Sequence, residues 1–493
     1  MSPYERFVAS AYDHGGRSAL HVAGAHVTYE ALLRRATAVR HALDLHGVGP
    51  GARVGICGPA SDVGTYAAVL GTLGTGAAYV ALGPPPRRGW VAEVAGLAAL
   101  CAVADPAARE LAVSLHVPFV DVATLDACSA DWSLPAVDDA DLLYVLPTSG
   151  STGHPKLVPI TLGNVRAFLA AAVGSSDYAL TPDDRLLQMF DPTFDLWVPS
   201  LFVSLAVGAC SYVISADAPA PAAVLGALGR HQLTFALMVP SVLAYLKREL
   251  GTVRLPALRY SQFCGEALRR DLLAAWQPCV PNARIENLYG PTEATVYCSR
   301  YVWDPRRSPA ECDNGIVPIG LPTRGNVLAL LETGELVIAG PQVMPGYLGA
   351  SAELPSPFVT IEHEAVSMRA YRTGDLARRI EGGQLAFVGR IDEQLKIDGY
   401  RVEPGEVEHW ARELSGTSVV AVGARGDGGA LELHLVLEGR AGGSPELLAR
   451  LRARLPAYMM PSAVHVWDAL PLTAHGKVDR REVERRLGAR SRG

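Results

Sequence analysis

Two periods of hydrophobicity alternate along the first three hundred residues. YEALLRRATAVRHALDLHGV (29–48) sets apolar residues three and four apart, the spacing of one helix face, and RVGICG (53–58) then reads as a short buried strand. VGTYAAVLGTLGTGAAYVAL (63–82) repeats the helix-then-strand pair, and DLLYVLP (141–147) is a further apolar strand. VRAFLAAAV (165–173), LFVSLAVGACSYVI (201–214), VLGALGRHQLTFALMVP (224–240) and SVLAYLKREL (241–250) continue the alternation. Strands separated by helices predict an α/β fold with parallel sheets covered by helices.

The pattern changes after about residue 310. GELVIAGPQVM (334–344), QLAFVGRI (384–391) and QLKIDGYRVE (394–403) are short strands with glycine turns, as in a small β-rich subdomain. Beyond residue 393 it is α+β: a helix in VEPGEVEHWARELSG, strands in SVVAVGAR and ALELHLVLEG, and a helix in SPELLARLRARLPAYMMP that proline stops. REVERRLGARSRG (481–493) reads as a polar tail. A boundary near Arg390–Glu393 divides a large N-terminal region, 1–391, from a small α+β region, 392–493.

Composition narrows the classes. Of 493 residues, 49% are hydrophobic and 19% charged, and the charges are dispersed, which suits a folded chain rather than a disordered one. A formal net charge of -6 leaves no basic footprint for nucleic acid. No apolar run reaches the ~20 residues of a membrane span, and the first residues lack a secretory leader. Eight cysteines without a CxxC pair suit buried thiols in a reducing cytoplasm.

One stretch offers little to a core. TSGSTGHPK (148–156) holds two glycines, four hydroxyls (Thr148, Ser149, Ser151, Thr152) and Lys156, directly after a strand. Glycines let backbone N–H groups approach phosphate oxygens, and hydroxyls and a lysine add donors and charge. It is not the GxxxxGK[ST] loop: Pro155 precedes the lysine, and no Ser or Thr follows it.

The stretch resembles the phosphate loop of the adenylate-forming superfamily, which includes acyl-CoA synthetases, nonribosomal peptide adenylation domains and luciferases. Five further blocks follow in the family's order: NLYGPTEAT (287–295), GELVIAGPQVMPGYLG (334–349), YRTGDLARR (371–379), GRIDEQLKIDGYRVEPGEVE (389–408) and PLTAHGKVDR (471–480). Two positions depart from the pattern: Gly83 stands where an aspartate is usual, and Leu157 where a glycine is usual.

The resemblance implies ATP and Mg²⁺ as cofactors and assigns roles residue by residue. Lys477 would bridge the substrate carboxylate and the α-phosphate. Thr292 would meet the α-phosphate, and Glu293 would hold Mg²⁺ through one hard oxygen. Tyr289 would offer adenine a ring face, beside Asn287, Gly290, Gly265 and Glu266. Asp375 would accept from the ribose hydroxyls, and Arg390 would contact ribose or phosphate. Asp392 resembles the hinge about which the C-terminal domain rotates, withdrawing the lysine and bringing Lys396 and Gly399 inward to shape a thiol tunnel.

The same resemblance points to an amino acid as the acid activated. QMFDPTFDLWVPSLF contains two candidates for the aspartate that pairs with a substrate ammonium. Pro199 is tolerated only in a helix's first turn, which suits a helix starting near Trp197 and hence Asp195, next to Phe194. Asp191, as a turn residue, is the alternative. A buried ammonium without a counterion is costly, so this aspartate separates amino acids from fatty or aryl acids. Carried over one by one, the pocket comprises Leu196, Pro199, Leu237, Gln262, Cys264, Leu288, Val296 and Tyr297. Its mostly apolar lining without a second charge implies a neutral amino acid of small to medium size, of the alanine, valine or proline type.

No LGGxS-type segment follows Lys477, so the expectation is a free-standing adenylation enzyme of natural-product biosynthesis that hands its aminoacyl group to the phosphopantetheine of a separate carrier protein. The competing expectations are an acyl-CoA ligase for a non-amino acid and a catalytically silent ATP-binding module.

Overall fold

A computed structural model describes residues 1–83, 85–150, 155–173, 178–214, 221–349, 356–425, 430–439, 444–471 and 478–490. It is an α/β molecule built on two large sheets. The first has six strands in the order Phe119–Asp121, Ala99–Ala102, Arg53–Cys57, Ala78–Ala81, Leu142–Thr148 and Lys156–Thr161, all parallel except the last pair. The second has nine, with the parallel run Tyr260–Phe263, Phe235–Met238, Arg185–Gln188 and Cys210–Val213 at its centre. Arg284–Tyr289 and Ser18–Val22 extend that run in parallel on either side, and antiparallel strands beyond them close the edges, where the sequence suggested parallel sheets.

The helix Val63–Gly74 is buried on every side past its first residue, so its hydrophobicity has no polar face to show. Gly71 lets it lie against the helix Tyr29–Asp44, since a Cβ there would meet Ala36 O at 2.6 Å. Tyr66 of this helix, Tyr79 of the six-stranded sheet and Trp197 of the helix Trp197–Val207 share one aromatic core, at 5.7 and 6.3 Å from Trp197. That last helix begins at Trp197, takes Pro199 in its first turn and stops at Gly208 with φ 75°, as the proline argument requires.

A five-stranded antiparallel sheet covers 327–390. Beyond it, the ribbon Leu395–Ile397/Tyr400–Val402 and the three-stranded sheet Val419–Arg425, Leu431–Glu438 and Ala463–Trp467 form a smaller lobe. Alternation along those strands gives this sheet two buried faces. Val419, Ala421, Leu433 and Leu435 pack with Ile397 and Val402 of the ribbon and with Leu447 and Leu451. Val420, Val422 and Val436 pack on the opposite face with Leu470, Val478, Val483 and Leu487.

The polar tail of the sequence reading is corrected here: Arg480–Arg490 is a helix. Its exposed arginines mask a two-residue apolar stripe, Val483 and Leu487, whose burial stabilises the lobe by about 1.5–3 kcal/mol per side chain. Among the described residues no helix is long and apolar enough to cross a membrane. All eight cysteines are unpaired, and six of them are buried.

Candidate active site

The strand Leu142–Thr148 delivers Thr148, Ser149 and Gly150 to the C-terminal edge of the six-stranded sheet, and Lys156 opens the returning strand. Ser151, Thr152 and Lys477 lie outside the described residues. Lys156 holds its ammonium 5.6 Å from the Tyr347 ring; burial, then the neighbouring Arg401 charge, lower its pKa. Leu157, the departure from the usual glycine, is fully buried and bridges Leu348, whose N–H donates to Leu157 O at 3.0 Å. Among the described residues, a Cβ at Gly83 would touch nothing closer than Thr193 Cγ2 at 3.6 Å.

One cleft brings together Gly265, Glu266, Asn287, Tyr289, Gly290, Asp375, Arg390 and Lys396. Its polar groups are wired to each other. The Tyr289 hydroxyl donates to Asp375 Oδ2 at 2.6 Å, and Arg390 donates to the other oxygen of that carboxylate. The same guanidinium grips Asp392 with two bonds of 2.5 and 2.8 Å. Lys396 stands 5.9 Å over the Tyr289 ring. Asn287 donates to Pro318 O at 2.9 Å and leaves its own carbonyl oxygen without a partner among the described residues.

Glu266 does something the sequence did not announce. Its carboxylate accepts from Ser241 N–H at 2.8 Å and from Gly399 N–H at 2.7 Å, tying the large lobe to the ribbon of the small one. Burial outweighs both bonds and pushes its pKa up to about 7. Gly265 takes φ +95°, and a Cβ on it would sit 3.6 Å from the Gly399 Cα.

A second cavity, beside the first, collects Thr148, Ser149, Phe194, Asp195 and Thr292 under Tyr400 and Arg401. Thr292 donates to Asp195 Oδ2 at 2.6 Å. Asp195 is buried, and desolvation lifts its carboxyl to about 6 although Thr292 and the charge of Lys396 oppose it. Asp191, four residues earlier, spends one oxygen on its own turn, accepting from Thr193 N–H at 2.9 Å and from its hydroxyl at 2.6 Å. The two aspartates therefore sit in different roles: one closes a turn, the other faces a cavity.

Glu293 is fully buried. Arg401 donates to its Oε1 at 2.8 Å and Tyr347 to the same oxygen at 2.7 Å. Burial opposes ionisation, but the Arg401 guanidinium and the Tyr347 hydroxyl hold the carboxyl down at about 2. Its Oε2 accepts no hydrogen bond among the described residues, and no group of three His, Cys, Asp or Glu side chains among them is placed there to hold a metal ion. A hard divalent cation fits this arrangement through one carboxylate oxygen, with phosphate and water supplying the rest.

The pocket positions fall on three strands, one helix and one turn. Leu237, Gln262 and Glu286 are Cα partners on adjacent strands, and Cys264 and Leu288 point to the same face two residues further on. Leu196 and Pro199 come from the start of the helix at Trp197. Val296 and Tyr297 come from a turn in which Thr295 (φ 54°) and Val296 (φ 72°) are both left-handed, a conformation that costs on the order of 1–3 kcal/mol per residue. Gln342 holds that turn: its amide donates to Thr295 O at 3.1 Å and Tyr297 O at 2.8 Å, and Thr295 Oγ1 returns a bond to Gln342 O at 2.6 Å.

Sequence reasoning passed over Gln342, Tyr347 and Arg401, although each lies inside a block it quoted. Phe194, Tyr400 and Tyr458 were also missed as a unit. They stack in series, with centroids 5.1 and 4.2 Å apart, across the seam between the lobes.

Comparison with known proteins places these features. The family described as AMP-binding enzyme matches residues 7–348. A linear gramicidin synthase polypeptide of Brevibacillus parabrevis is 34% identical over 92% of this chain, which spans 9% of that protein. The isonitrile lipopeptide synthase of Streptomyces coeruleorubidus is 35% identical over 95% of the chain, which spans 32% of it. Among solved structures, IdnL7 superposes with a TM-score of 0.71 at 32% identity and 99% coverage of both chains. Holo-PA1221, an NRPS protein containing adenylation and PCP domains bound to a vinylsulfonamide inhibitor, gives 0.85 at 26% identity, covering 98% of this chain and 84% of that one.

Proposed function

This chain belongs to the AMP-binding enzymes, adenylate-forming ligases related to nonribosomal peptide adenylation domains, and from that premise we propose that it activates a neutral amino acid of small to medium size. A carboxylate oxygen of the amino acid attacks the α-phosphorus of ATP, the bond to the bridging oxygen breaks, and pyrophosphate leaves. The phosphopantetheine thiol of a carrier protein, losing its proton, then attacks the acyl carbon, the bond to the phosphate oxygen breaks, and AMP leaves as the thioester forms. The observation that carries this reading is the 2.6 Å bond between Thr292 and Asp195, which sets a buried anion for the ammonium one hydroxyl away from the α-phosphate position.

ATP occupies the cleft of Tyr289, Asp375 and Arg390 in this proposal, with Gly265 and Gly290 allowing close approach. Mg²⁺, when bound, neutralises phosphate charge and is held by Glu293. Thr148, Ser149 and Lys156, with Ser151 and Thr152, meet the phosphates, and Lys477 meets the charge that develops between carboxylate and α-phosphate. Asp195 orients the substrate through its ammonium, against walls from Leu196, Pro199, Cys264, Leu288 and Val296.

Residues 392–493 act as a mobile domain hinged at Asp392. Support comes from the lobe's two faces. The ribbon of Lys396 and Gly399 covers one face of its sheet, whereas Leu470 and Val478, which flank residues 472–477 in sequence, pack on the other. Asp479 N–H donates to Pro471 O at 2.8 Å. One lobe therefore presents a lysine to one half-reaction and a ribbon to the next. The arrangement seen here has the ribbon inward, with Arg401 on Glu293. Arg401 neutralises Glu293 from its Oε1 side, so a metal ion at Oε2 would share the carboxylate with a guanidinium, and in this proposal the ribbon-inward arrangement serves the thiol-transfer step after pyrophosphate has gone. Unpaired cysteines are in keeping with a cytoplasmic enzyme.

Pyrophosphate exchange across amino acids and carboxylic acids lacking an amine tests the proposal. Response to neutral amino acids is expected; response only to acids without an amine would assign the chain to acyl-CoA ligase chemistry instead.

A further inference from the structure

We infer that Glu266 is a positioning residue for thiol transfer: its carboxylate catches the tip of the ribbon and fixes where the small lobe docks, an inference that rests on the two-half-reaction reading above. Ile397 and Tyr400 are Cα partners, so Asp398 and Gly399 form a two-residue hairpin connection. Both are left-handed, with φ 50° and 81°, the combination that a type I′ turn demands and that an Asp-Gly pair supplies. The N–H groups of the two central residues of such a turn find no partner inside the hairpin. Each needs water or an acceptor beyond it.

For Gly399 that acceptor is Glu266 Oε1, at 2.7 Å. The other oxygen, Oε2, accepts from Ser241 N–H at 2.8 Å, which anchors the carboxylate to the large lobe. One side chain thus joins two backbone N–H groups from opposite sides of the seam. The residues on either side of Gly399 are held as well: Tyr245 donates to Asp398 Oδ1 at 3.1 Å, and Tyr400 stacks on Phe194 with centroids 5.1 Å apart. Those two contacts join side chains, which can follow a shift of the backbone. The Glu266 bond grips the backbone itself. A Cβ at Gly399 would come within 2.4 Å of Val239 Cγ1, so the tip has no room for a side chain there. An N–H bond to a carboxylate is among the stronger hydrogen bonds, and withdrawal of the ribbon hands this one to water. Glu266 therefore weights the lobes toward the ribbon-inward arrangement.

The test separates docking from chemistry. In limited trypsin digestion of the whole chain, cleavage after Lys396 and Arg401, read by mass spectrometry, reports how often the ribbon leaves the seam. Glu266→Gln keeps the size but offers a single acceptor oxygen between two N–H donors. It is expected to speed that cleavage by about tenfold, the factor one such bond supports. Tyr245→Phe, which removes the longer flanking bond, should speed it about twofold and leave pyrophosphate exchange untouched. With free pantetheine as the thiol, thioester formation should fall about tenfold more in Glu266→Gln than exchange does, a split that a general loss of fold would not produce. Ribbon cleavage at the wild-type rate in Glu266→Gln, or equal losses in the two half-reactions, would overturn the inference. Faster ribbon cleavage in a chain that only acids lacking an amine drive through exchange would keep the catch and overturn the amino-acid reading instead.

Discussion

The cleft around Asp375 and the cavity around Asp195, proposed to hold nucleotide and amino acid, are built on opposite plans. In the cleft, charged groups neutralise one another: Tyr289 and Arg390 on Asp375, Arg390 on Asp392, Arg401 on Glu293. Around Asp195, a single hydroxyl, that of Thr292, donates to the carboxylate among the described residues, and the neighbouring Leu196, Cys264, Leu288 and Val296 are buried apolar side chains. A site for an invariant ligand can exchange one set of ion pairs for another if the lobes rotate as proposed. A site that must choose among similar acids relies on packing around one buried charge.

Removing the lysine proposed to meet both the carboxylate and the α-phosphate should have the largest effect. Lys477→Ala is expected to lower pyrophosphate exchange by about 10²–10³-fold, the cost of losing one transition-state contact, with an unchanged melting temperature. Exchange at the wild-type rate would remove that lysine from the chemistry.

Arg401→Ala sharpens the comparison from the cleft side. Without its guanidinium, Glu293 should favour the metal, so half-saturation by Mg²⁺ in the exchange assay is expected at about three- to tenfold lower concentration. Thioester formation on a carrier protein should slow about tenfold over the same interval. If both half-reactions fell together, the pair would be a structural tie and not a switch.

Gln342→Ala acts on the pocket alone and should be the mildest. The left-handed turn at Thr295 and Val296 then loses its clamp, and about 1–3 kcal/mol of stability with it. Calorimetry should report that loss, together with a several-fold rise in KM for the amino acid and none for ATP.

The same contrast governs how much of the molecule could be read from its residues. The cleft is encoded in contiguous blocks: YGPTEAT and TGD each place a functional side chain within a few residues of a glycine or proline that sets the backbone. Tyr289 and Asp375, from two of those blocks, meet at 2.6 Å. The pocket is assembled from strand register, from Leu237 beside Gln262 beside Glu286, and no single stretch states that register. Asp195 was separable from Asp191 because Pro199 constrains where a helix can start, a local rule. Glu286 reads as an ordinary strand residue, and Gln342 as part of a glycine turn. Their importance lies in contacts 24 and 45 residues away in sequence. The C-terminal helix was lost for a related reason: five arginines in Arg480–Arg490 drown the two apolar residues that dock it.

The central claim is that Asp195 receives the ammonium of the acid being adenylated. Its carboxyl, raised by burial to about 6, is charged above that pH and neutral below it. The decisive measurement is therefore kcat/KM in pyrophosphate exchange, across about pH 5 to 8, for the preferred amino acid and for the same acid with its amine replaced by hydrogen. The account predicts that the amino acid exceeds its analogue by about 100-fold above pH 6, that this advantage shrinks by up to tenfold per unit below it, and that Asp195→Asn abolishes both the advantage and its pH dependence. An advantage that survives in Asp195→Asn, or none in the wild type at any pH, would contradict it.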